Sequence, residues 1–474
     1  MKPIQLFGAG TASRSQIVCA QKRLNVYWEI TSDGDKATAV IYGTPGTLLA
    51  FTLADIARGF LPIGDNLYAV NGAVVTKLDT SLAATNLGGG LASATGVVSM
   101  CANQSDMLIT DGAAGKYVTL PAGAVTTVGA AAYPDTATTC ACVGGYFVVE
   151  QPSTNIFSVS ALNDVTTWPA TFIQAAYSSP ESLVAVNADH GLLMLFGRTY
   201  LEYWTVGGAL DFPFAHIQGA DQQFGLAAKW SRAHINNGVA FLATMRQGQY
   251  QVMFVDLINS FAPTRISNSE VEDVIRRVTT VASATALSYM VDGHPFYQLT
   301  FPADNLTLLY DFSTSIWSYA QTGVATSARH VGDLSTTFNG VTYLSDYANG
   351  NVYSSELDTY TDNGTAIKRQ LVSKHLATGT HLVVAALQLE FETGVGLSSG
   401  QGSDPMVTLE VSKDGGRTYG NERQLKLYPL GTYDRRTIAR RAANGYDVTF
   451  RLTMTDPVKF ALARELADIE EGTG

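Results

Sequence analysis

The sequence predicts an all-β protein: a β-propeller of six to seven blades followed by a small antiparallel β-sandwich. Three observations carry this prediction. The 474 residues include 44 glycines and 22 tyrosines, with 46% hydrophobic and only 15% charged residues, a composition that builds a large core and many turns. A polar or glycine turn followed by a short apolar run recurs along the chain. Beyond residue 360 that recurrence stops and the charge balance changes.

The recurrent unit begins at Asp65-Asn66-Leu67-Tyr68-Ala69-Val70 and returns at Ser105-Asp106-Met107-Leu108-Ile109-Thr110. It follows again at Gly144-Gly145-Tyr146-Phe147-Val148-Val149, at Gly191–Phe196 and at Asn237–Leu242. The last two are Gly293–Leu299, with Pro295 inside the run, and Gly340–Leu344. A period of about 40 to 55 residues is that of a four-stranded blade, which buries its faces only against neighbouring copies. Runs without polar alternation fit inner strands covered on both faces. Seven markers give six or seven blades, depending on whether the first belongs to a closure shared between the chain ends.

Taken in order, residues 1–60 read as an N-terminal extended segment and hairpin. Asn25–Ile30 and Ala37–Tyr42 are its strands, Ser32-Asp33-Gly34-Asp35 its turn, and Gly43-Thr44-Pro45-Gly46 its end. Residues 61–360 read as the propeller. The stretch Leu308 to Gly364, which runs just past their end, is expected to be one blade, with strands at 308–312, 316–319, 338–346 and 351–353. Asn349-Gly350 is its expected two-residue turn, with the positive φ angles that such turns need. One helix is expected after a capping box, Ser267-Asn268-Ser269-Glu270. Val271, Val274 and Ile275 lie on one of its faces, so it plugs a blade connection or meets a partner. Residues 361–474 read as the sandwich, with alternating strands at Leu382–Phe391, Met406–Val411 and Val448–Met454.

The chemistry is mostly exclusion. The net charge is −11, and residues 1–360 hold 16 Lys and Arg against 27 Asp and Glu, whereas 361–474 hold 14 of each. Such a chain is unsuited to salt-driven nucleic-acid binding. Cys19, Cys101, Cys140 and Cys142 form no CxxC pair, and Cys140 and Cys142 share one strand face, as small buried residues do. The seven histidines are scattered singly, so no metal or other cofactor is expected. Gly8-Ala9-Gly10-Thr11-Ala12-Ser13 lacks the third glycine of a dinucleotide fingerprint, and no Gly-x-Ser-x-Gly elbow occurs. Lys2-Pro3 and Leu6-Phe7-Gly8 interrupt any signal-peptide core, and no apolar run approaches the ~18 residues of a membrane span, so folding in the cytosol without membrane insertion is expected.

Two patterns invite a function. Ser412-Lys413-Asp414-Gly415-Gly416-Arg417-Thr418-Tyr419 resembles the Asp box of sialidases and other propellers, a structural turn in which a carboxylate takes backbone amides. It occurs once, so a glycan-binding or sialidase-like propeller used in host recognition is the alternative reading. Arg435, Arg436, Arg440 and Arg441 form the densest basic cluster. They are read as a solvated face or as a subunit contact against the acidic propeller of a neighbour, with direct DNA contact as the third reading.

Several stretches, in order, resemble one family. They are Asn25-Val26-Tyr27 leading to Thr44-Pro45-Gly46, Gly197–Gly208 around Leu201-Glu202-Tyr203-Trp204, and Tyr310-Asp311 through Trp317 to Asp346–Tyr353 and Tyr360–Gly364. The Asp414–Tyr419 turn and Gly431-Thr432-Tyr433-Asp434-Arg435-Arg436 running to Arg441 complete the set. Together they resemble the packaged-DNA stabilisation proteins, also called tail hub or nozzle proteins, of short-tailed bacteriophages. The resemblance implies a structural virion protein, not an enzyme. It implies a six-fold homo-oligomeric ring below the portal-adaptor complex, located in the tail and assembled in the host cytoplasm. Such a ring retains packaged double-stranded DNA, forms the conduit for its ejection without sequence-specific binding, and contacts a tail fibre or tailspike and a tail needle or plug.

Overall fold

The computed structural model describes residues 1–474 except 9, 11, 13–14, 16–17, 32–36, 210, 259–260 and 472–474. The expected turn at Ser32–Asp35 and half of the Gly8–Ser13 stretch lie outside the described residues. The chain forms the two predicted architectures, a β-propeller and a β-sandwich.

Seven antiparallel blades follow one another. The first four start with strands Ala57–Ile63, Ser99–Ala102, Cys140–Val143 and Leu183–Asp189. The fifth starts with a divided strand, Phe224–Leu226 and Ala233–Ile235, both paired to Gly238–Met245. The sixth and seventh start with Thr285–Val291 and Gly332–Phe338. Side chains link these first strands round the axis: Ser288 Oγ donates to His234 O at 2.6 Å, and Ser335 Oγ donates to Ser288 O at 2.7 Å. Each recurrent apolar run of the sequence is the second strand of its blade, buried on both faces by its neighbours. Leu67, Leu108, Phe147, Leu193, Val239 and Leu299 are all fully buried. Each such side chain contributes about 1.5–3 kcal/mol relative to exposure, so seven repeats dominate the stability of this half.

The turn between the first and second strands carries the glycine signal. Asn339-Gly340 (φ 50° and 74°) and Asp292-Gly293 (φ 48° and 78°) are two-residue turns with both residues left-handed, which matches the twist of the strands they join. The seventh blade is completed by Gly46–Thr52, which pairs antiparallel with Asn351–Glu356, so a strand from before the first blade closes the ring of blades.

Three details correct the sequence reading. The stretch Leu308 to Gly364 is not one blade. Leu306–Asp311 and Ile316–Tyr319 end blade six, while Val341–Asp346 and Asn351–Glu356 belong to blade seven. The alternation of strand and turn is the same inside a blade and between blades, so it does not mark where one stops. Asn349-Gly350 is not a two-residue turn either. It ends a four-residue loop, and neither residue has a positive φ. Asp346 organises that loop, accepting from Ala348 N (2.8 Å), Asn349 Nδ2 (3.0 Å) and the Tyr353 hydroxyl (2.8 Å). Gly350 is there for room, since a Cβ would lie 2.2 Å from Leu53 O. Finally, the helix Ser269–Arg277 is capped by Asn268, whose side chain accepts from Val271 N, so Glu270 is not the return partner of a capping box.

The sandwich draws strands from both ends of the chain. One sheet runs Val26–Ile30, Ala39–Gly43, Ala461–Glu471, Leu382–Phe391 and Thr437–Gly445, with Lys2–Ile4 also paired to Ala461–Glu471. The other runs Lys22–Leu24, Arg369–Val372, Thr449–Met454, Met406–Ser412 and Arg423–Lys426. Leu387, Leu389, Leu409, Phe450 and Leu452 fill the space between, together with Leu6, Phe7, Val26 and Trp28 from the N-terminal segment. That segment, read as a separate extended piece and hairpin, is therefore part of the sandwich. The second sheet also continues into blade six, where Leu24 pairs in parallel with Tyr319. Asn25 fixes this weld in a left-handed conformation (φ 53°). Its Nδ2 donates to Gln321 O and Lys368 O, and its Oδ1 accepts from Gln321 N, each at 2.9 Å.

Candidate assembly surface

The arginine cluster sits on an edge of the sandwich. Thr437–Gly445 pairs only with Leu382–Phe391, with Gln388 opposite Ile438 and Ala386 opposite Arg440. Thr437, Ala439 and Ala442 point into the core, which turns Arg440 outward, and Arg441 stands at an irregularity with φ 49°. Arg435 and Arg436 precede the strand, and all four side chains are exposed. Arg435, Arg436 and Arg440 line one broad groove of about 1010 Å³ with Tyr433, while Arg441 is not part of its wall. Arg435 Nε lies 3.5 Å from Asp434 Oδ1. The other three guanidinium groups have no ion-pair partner among the described residues. The groove floor is neutralised: Arg464 meets Glu390 through two bonds of 2.6 and 3.2 Å.

This edge is partly blocked to a further strand. Arg423 donates to Arg440 O (2.6 Å) and Arg441 O (3.1 Å), and the Tyr428 hydroxyl donates to Arg436 O (3.3 Å), so those three carbonyls are occupied. The side-chain charge stays available.

The Asp414 turn has the geometry its residues predict. Asp414 accepts from Arg417 N (3.0 Å), Thr418 N (2.9 Å), Thr418 Oγ1 (2.5 Å) and Ser412 Oγ (2.6 Å). These bonds, those from the Ser412 and Thr418 side chains foremost, hold its carboxyl far below the usual range. Gly415 and Gly416 take φ of 75° and 84°, and the Arg451 guanidinium lies 3.9 Å over the Tyr419 ring. The carboxylate is thus fully used in holding a sandwich turn. His216, His294 and His375 each meet one aspartate, at 2.7, 3.0 and 2.7 Å. Cys101 and Cys140 are buried in one core cluster between blades two and three, and all four cysteines are free. Among the described residues no group of three or more His, Cys, Asp or Glu could hold a metal ion, and no helix is long and apolar enough to cross a membrane.

Sequence reasoning missed the charges buried where propeller meets sandwich. Arg23, 3% exposed, donates from Nε to Trp317 O (2.9 Å) and from Nη1 to Gly8 O (3.3 Å) and Gly10 O. Its Nη2 lies 3.7 Å from Glu270 Oε2. Glu270 in turn accepts from Ala12 N (2.9 Å) and the Tyr319 hydroxyl (3.3 Å). Burial raises the Glu270 pKa, and Arg23 opposes the rise. Arg369 is wholly buried beside the strand crossing, with Nη2 3.5 Å from Thr44 O and Tyr360 O. Burial pushes nearby Asp362 up to about 6. Except for Tyr360 and Asp362, which are close to Arg369 in sequence, these partners lie more than ten and up to hundreds of residues apart, and no local pattern announces them.

Comparison with known proteins adds two family matches. Residues 23–360 match the family described as bacteriophage P22 Gp10, beta-propeller, and residues 368–470 match bacteriophage P22 Gp10, beta-sandwich. A curated relative, the tail hub protein gp10 of Salmonella phage P22, is 23% identical over 284 residues, covering 56% of this chain and 56% of the relative. The chain therefore spans just over half the length of that relative. Solved structures with a similar fold include the extracellular domain of a hybrid two-component system from B. thetaiotaomicron (7% identity, 77% of this chain and 45% of that one, TM-score 0.44). The designed protein Ika8 is another (10% identity, 66% and 99%, TM-score 0.40). Likeness at this level says nothing of function.

Proposed function

The chain belongs to the bacteriophage P22 Gp10 family, and on that premise we propose that it is a structural tail-hub protein of a phage virion. In this reading copies of the chain form a ring, a hexamer, below the portal-adaptor complex. The ring retains packaged double-stranded DNA and then serves as its exit conduit, and it carries contacts for a tail fibre or tailspike and for a needle or plug. The observation that supports a mechanical role best is the weld. The second sandwich sheet continues into blade six through the Leu24–Tyr319 pair, and the sandwich strand Ala39–Gly43 runs directly into Gly46–Thr52, which closes blade seven, so propeller and sandwich are joined by strand pairing and short connections instead of hanging on a linker. A body of this kind transmits load without a hinge. The net charge of −11 suits a wall along which phosphates slide without sticking.

Closing a ring requires heterologous contacts, and Arg435, Arg436, Arg440 and Arg441 are the proposed basic side of that contact, facing acidic groups of the neighbouring propeller. Reversing all four to glutamate is expected to leave folded single chains on a sizing column where the unaltered protein forms rings. An unchanged ring would remove the arginines from the interface. Electron microscopy of the purified protein, alone and with portal-adaptor complexes, tests the reading as a whole; a protein that neither forms rings nor joins the adaptor would overturn it. The glycan-active alternative rests on one Asp-box turn whose carboxylate is consumed by its own loop. Turnover of a fluorogenic sialoside would revive it.

A further inference from the structure

The outer seam between blades three and four carries apolar side chains that the propeller leaves uncovered. Leu162 lies in the loop after the third strand of blade three, and Ile173 on that blade's fourth strand, Ile173–Ala175. Tyr177 lies on the connection to blade four, and Val206 ends that blade's third strand, Leu201–Val206. The four are between 36% and 61% exposed. They form one strip. Leu162 and Val206 both pack on the Gly144-Gly145 turn, where a Cβ on Gly144 would lie 3.0 Å from Val206 Cγ2 and one on Gly145 3.2 Å from Leu162 Cδ1. The Tyr177 ring is 4.9 Å from that of Trp204, which lies two residues before Val206. Trp204 is followed by Phe212 at 6.4 Å, and Phe212 by Phe172, the neighbour of Ile173, at 6.5 Å. One aromatic layer therefore underlies the strip. Single exposed leucines are ordinary on a protein surface, but a contiguous apolar strip marks a contact.

The charge around the strip is one-sided. From Tyr117 to Ala228, a stretch that contains all of blades three and four, the chain has eight Asp and Glu against one arginine, Arg198, and no lysine. Glu181, Asp211 and Asp221 stand exposed beside the strip. Asp221 accepts from Ser178 Oγ at 2.9 Å and meets His216 Nε2 at 2.7 Å, with the His216 ring 5.4 Å from that of Tyr177. An apolar strip with an acidic rim fits an apolar surface that carries cations. The sandwich of this chain has such a surface: Leu430 and Tyr433, 62% and 72% exposed, precede Arg435, Arg436 and Arg440. The two surfaces lie at opposite ends of the molecule. Thr437–Gly445 is the edge strand remote from Val26–Ile30, the strand whose Tyr27 packs on Phe296 of blade six at 5.8 Å. The sandwich is joined to blades six and seven, three blades from the strip one way round and four the other. Matching patches at opposite ends give a head-to-tail contact, the kind a ring repeats. We infer that the seam between blades three and four of one copy receives the Leu430–Arg440 edge of the next. This names the acidic side of the ring contact, and the choice of a second copy as occupant rests on the ring reading.

The test places the photo-crosslinker benzoylphenylalanine at Leu162 of the full chain and mixes it with heavy-isotope-labelled chain, so that links between copies are told from links within one. Irradiation is expected to join position 162 to residues 428–441 of the labelled copy. Leu162→Ser/Val206→Ser, altered at exposed positions only, should weaken assembly at least about tenfold on a sizing column with the melting midpoint unchanged. Glu181→Lys/Asp211→Lys should do the same, and adding Arg435→Glu/Arg436→Glu to that variant should restore assembly. Rings whose links fall elsewhere, or that survive Leu162→Ser/Val206→Ser, overturn this contact and leave the ring. Links to 428–441 in open strings of copies, with no rings in the microscope, overturn the ring and leave the contact. Irradiation that joins no two copies overturns the contact.

Discussion

The propeller and the sandwich close by opposite means. Each blade is built mainly from strands adjacent in sequence and joined by short turns, and only the last needs a strand from elsewhere, Gly46–Thr52. The sandwich is assembled from residues 2–43 and 369–471, so its core cannot form until both ends of the chain are present. Local pairing is cheap in loop entropy and can form piece by piece, whereas pairing the two ends is not and cannot. The difference teaches where the molecule holds itself together. The blades supply most of the buried surface, but the crossing near Arg23, Asn25 and Thr44–Gly46 decides whether both halves behave as one body.

Breaking that crossing should have the largest effect. Arg23→Ala leaves Glu270 buried without its cation, together with the Trp317 carbonyl it served. A loss of about 4 kcal/mol is expected, since removing one partner of a buried pair commonly costs 3–5. In guanidinium melts followed by intrinsic fluorescence, the single transition of the unaltered chain should split, with the sandwich unfolding first. Replacing both partners, Arg23→Met with Glu270→Leu, should restore most of the loss and a single transition. If the single variant still melts in one step at the original midpoint, the weld does not couple the halves.

The contrast between repeat and crossing also explains what was legible in the sequence. The seven apolar runs stand out because each second strand is covered on both faces, as at Met107-Leu108-Ile109 and Phe147-Val148-Val149. The sandwich strands from Leu382, Met406 and Val448 show their alternation for the same local reason. The hairpin of Val26–Ile30 with Ala39–Gly43 was legible, but its membership of the sandwich could not be read, because it joins that sheet only where Ile41 and Tyr42 meet Leu462 and Ala461, about four hundred positions away. Of the candidate surface, the arginines were visible as a cluster. That three share a groove while Arg441 stands apart follows from a strand irregularity that no composition encodes.

The two Asx/Gly turns of blade seven sharpen the point about local signals. Gly340 needs only a left-handed backbone and has open space around it, so Gly340→Ala should cost about 1 kcal/mol. Gly350 has an ordinary φ but touches the strand that closes the propeller, Leu53 N donating to its carbonyl at 2.7 Å. Gly350→Ala should therefore cost about 3 kcal/mol, the upper part of the range for forced overpacking. Urea melts of the two variants decide it; equal losses would mean that Gly350 serves conformation and not closure.

A smaller effect separates the halves by pH. Glu465, in the sandwich, lies under the N-terminal segment, accepts from Leu6 N at 3.4 Å, and is pushed by burial up to about 7. An acid whose folded pKa exceeds its unfolded one binds more protons when folded, so its contribution is full below about pH 4.5 and is lost as pH rises towards 7. Stability should fall by about 2 kcal/mol across that window from this group. Glu465→Gln, which keeps an acceptor for Leu6, should flatten that slope in urea melts at pH 5 and pH 7.5. An unchanged slope would show that the carboxyl titrates normally.

The smallest expected effect lies at the Asp414 turn, and it bears on the alternative function. This exposed carboxylate holds four donors of its own loop, between strands that are already paired at Met406–Lys426 and Leu409–Arg423. Asp414→Ala should therefore leave the global melt where it is and loosen only the loop, read as faster trypsin cleavage after Arg417. The same turn in a glycan-active propeller would be equally structural, so Asp414 itself cannot separate the two readings. The separation comes from position: the turn stands in the sandwich, built on a sheet that continues through Lys22–Leu24 into blade six. If cleavage after Arg417 rose together with exposure of the blade six weld, the turn would be part of the coupling between halves and not a local staple.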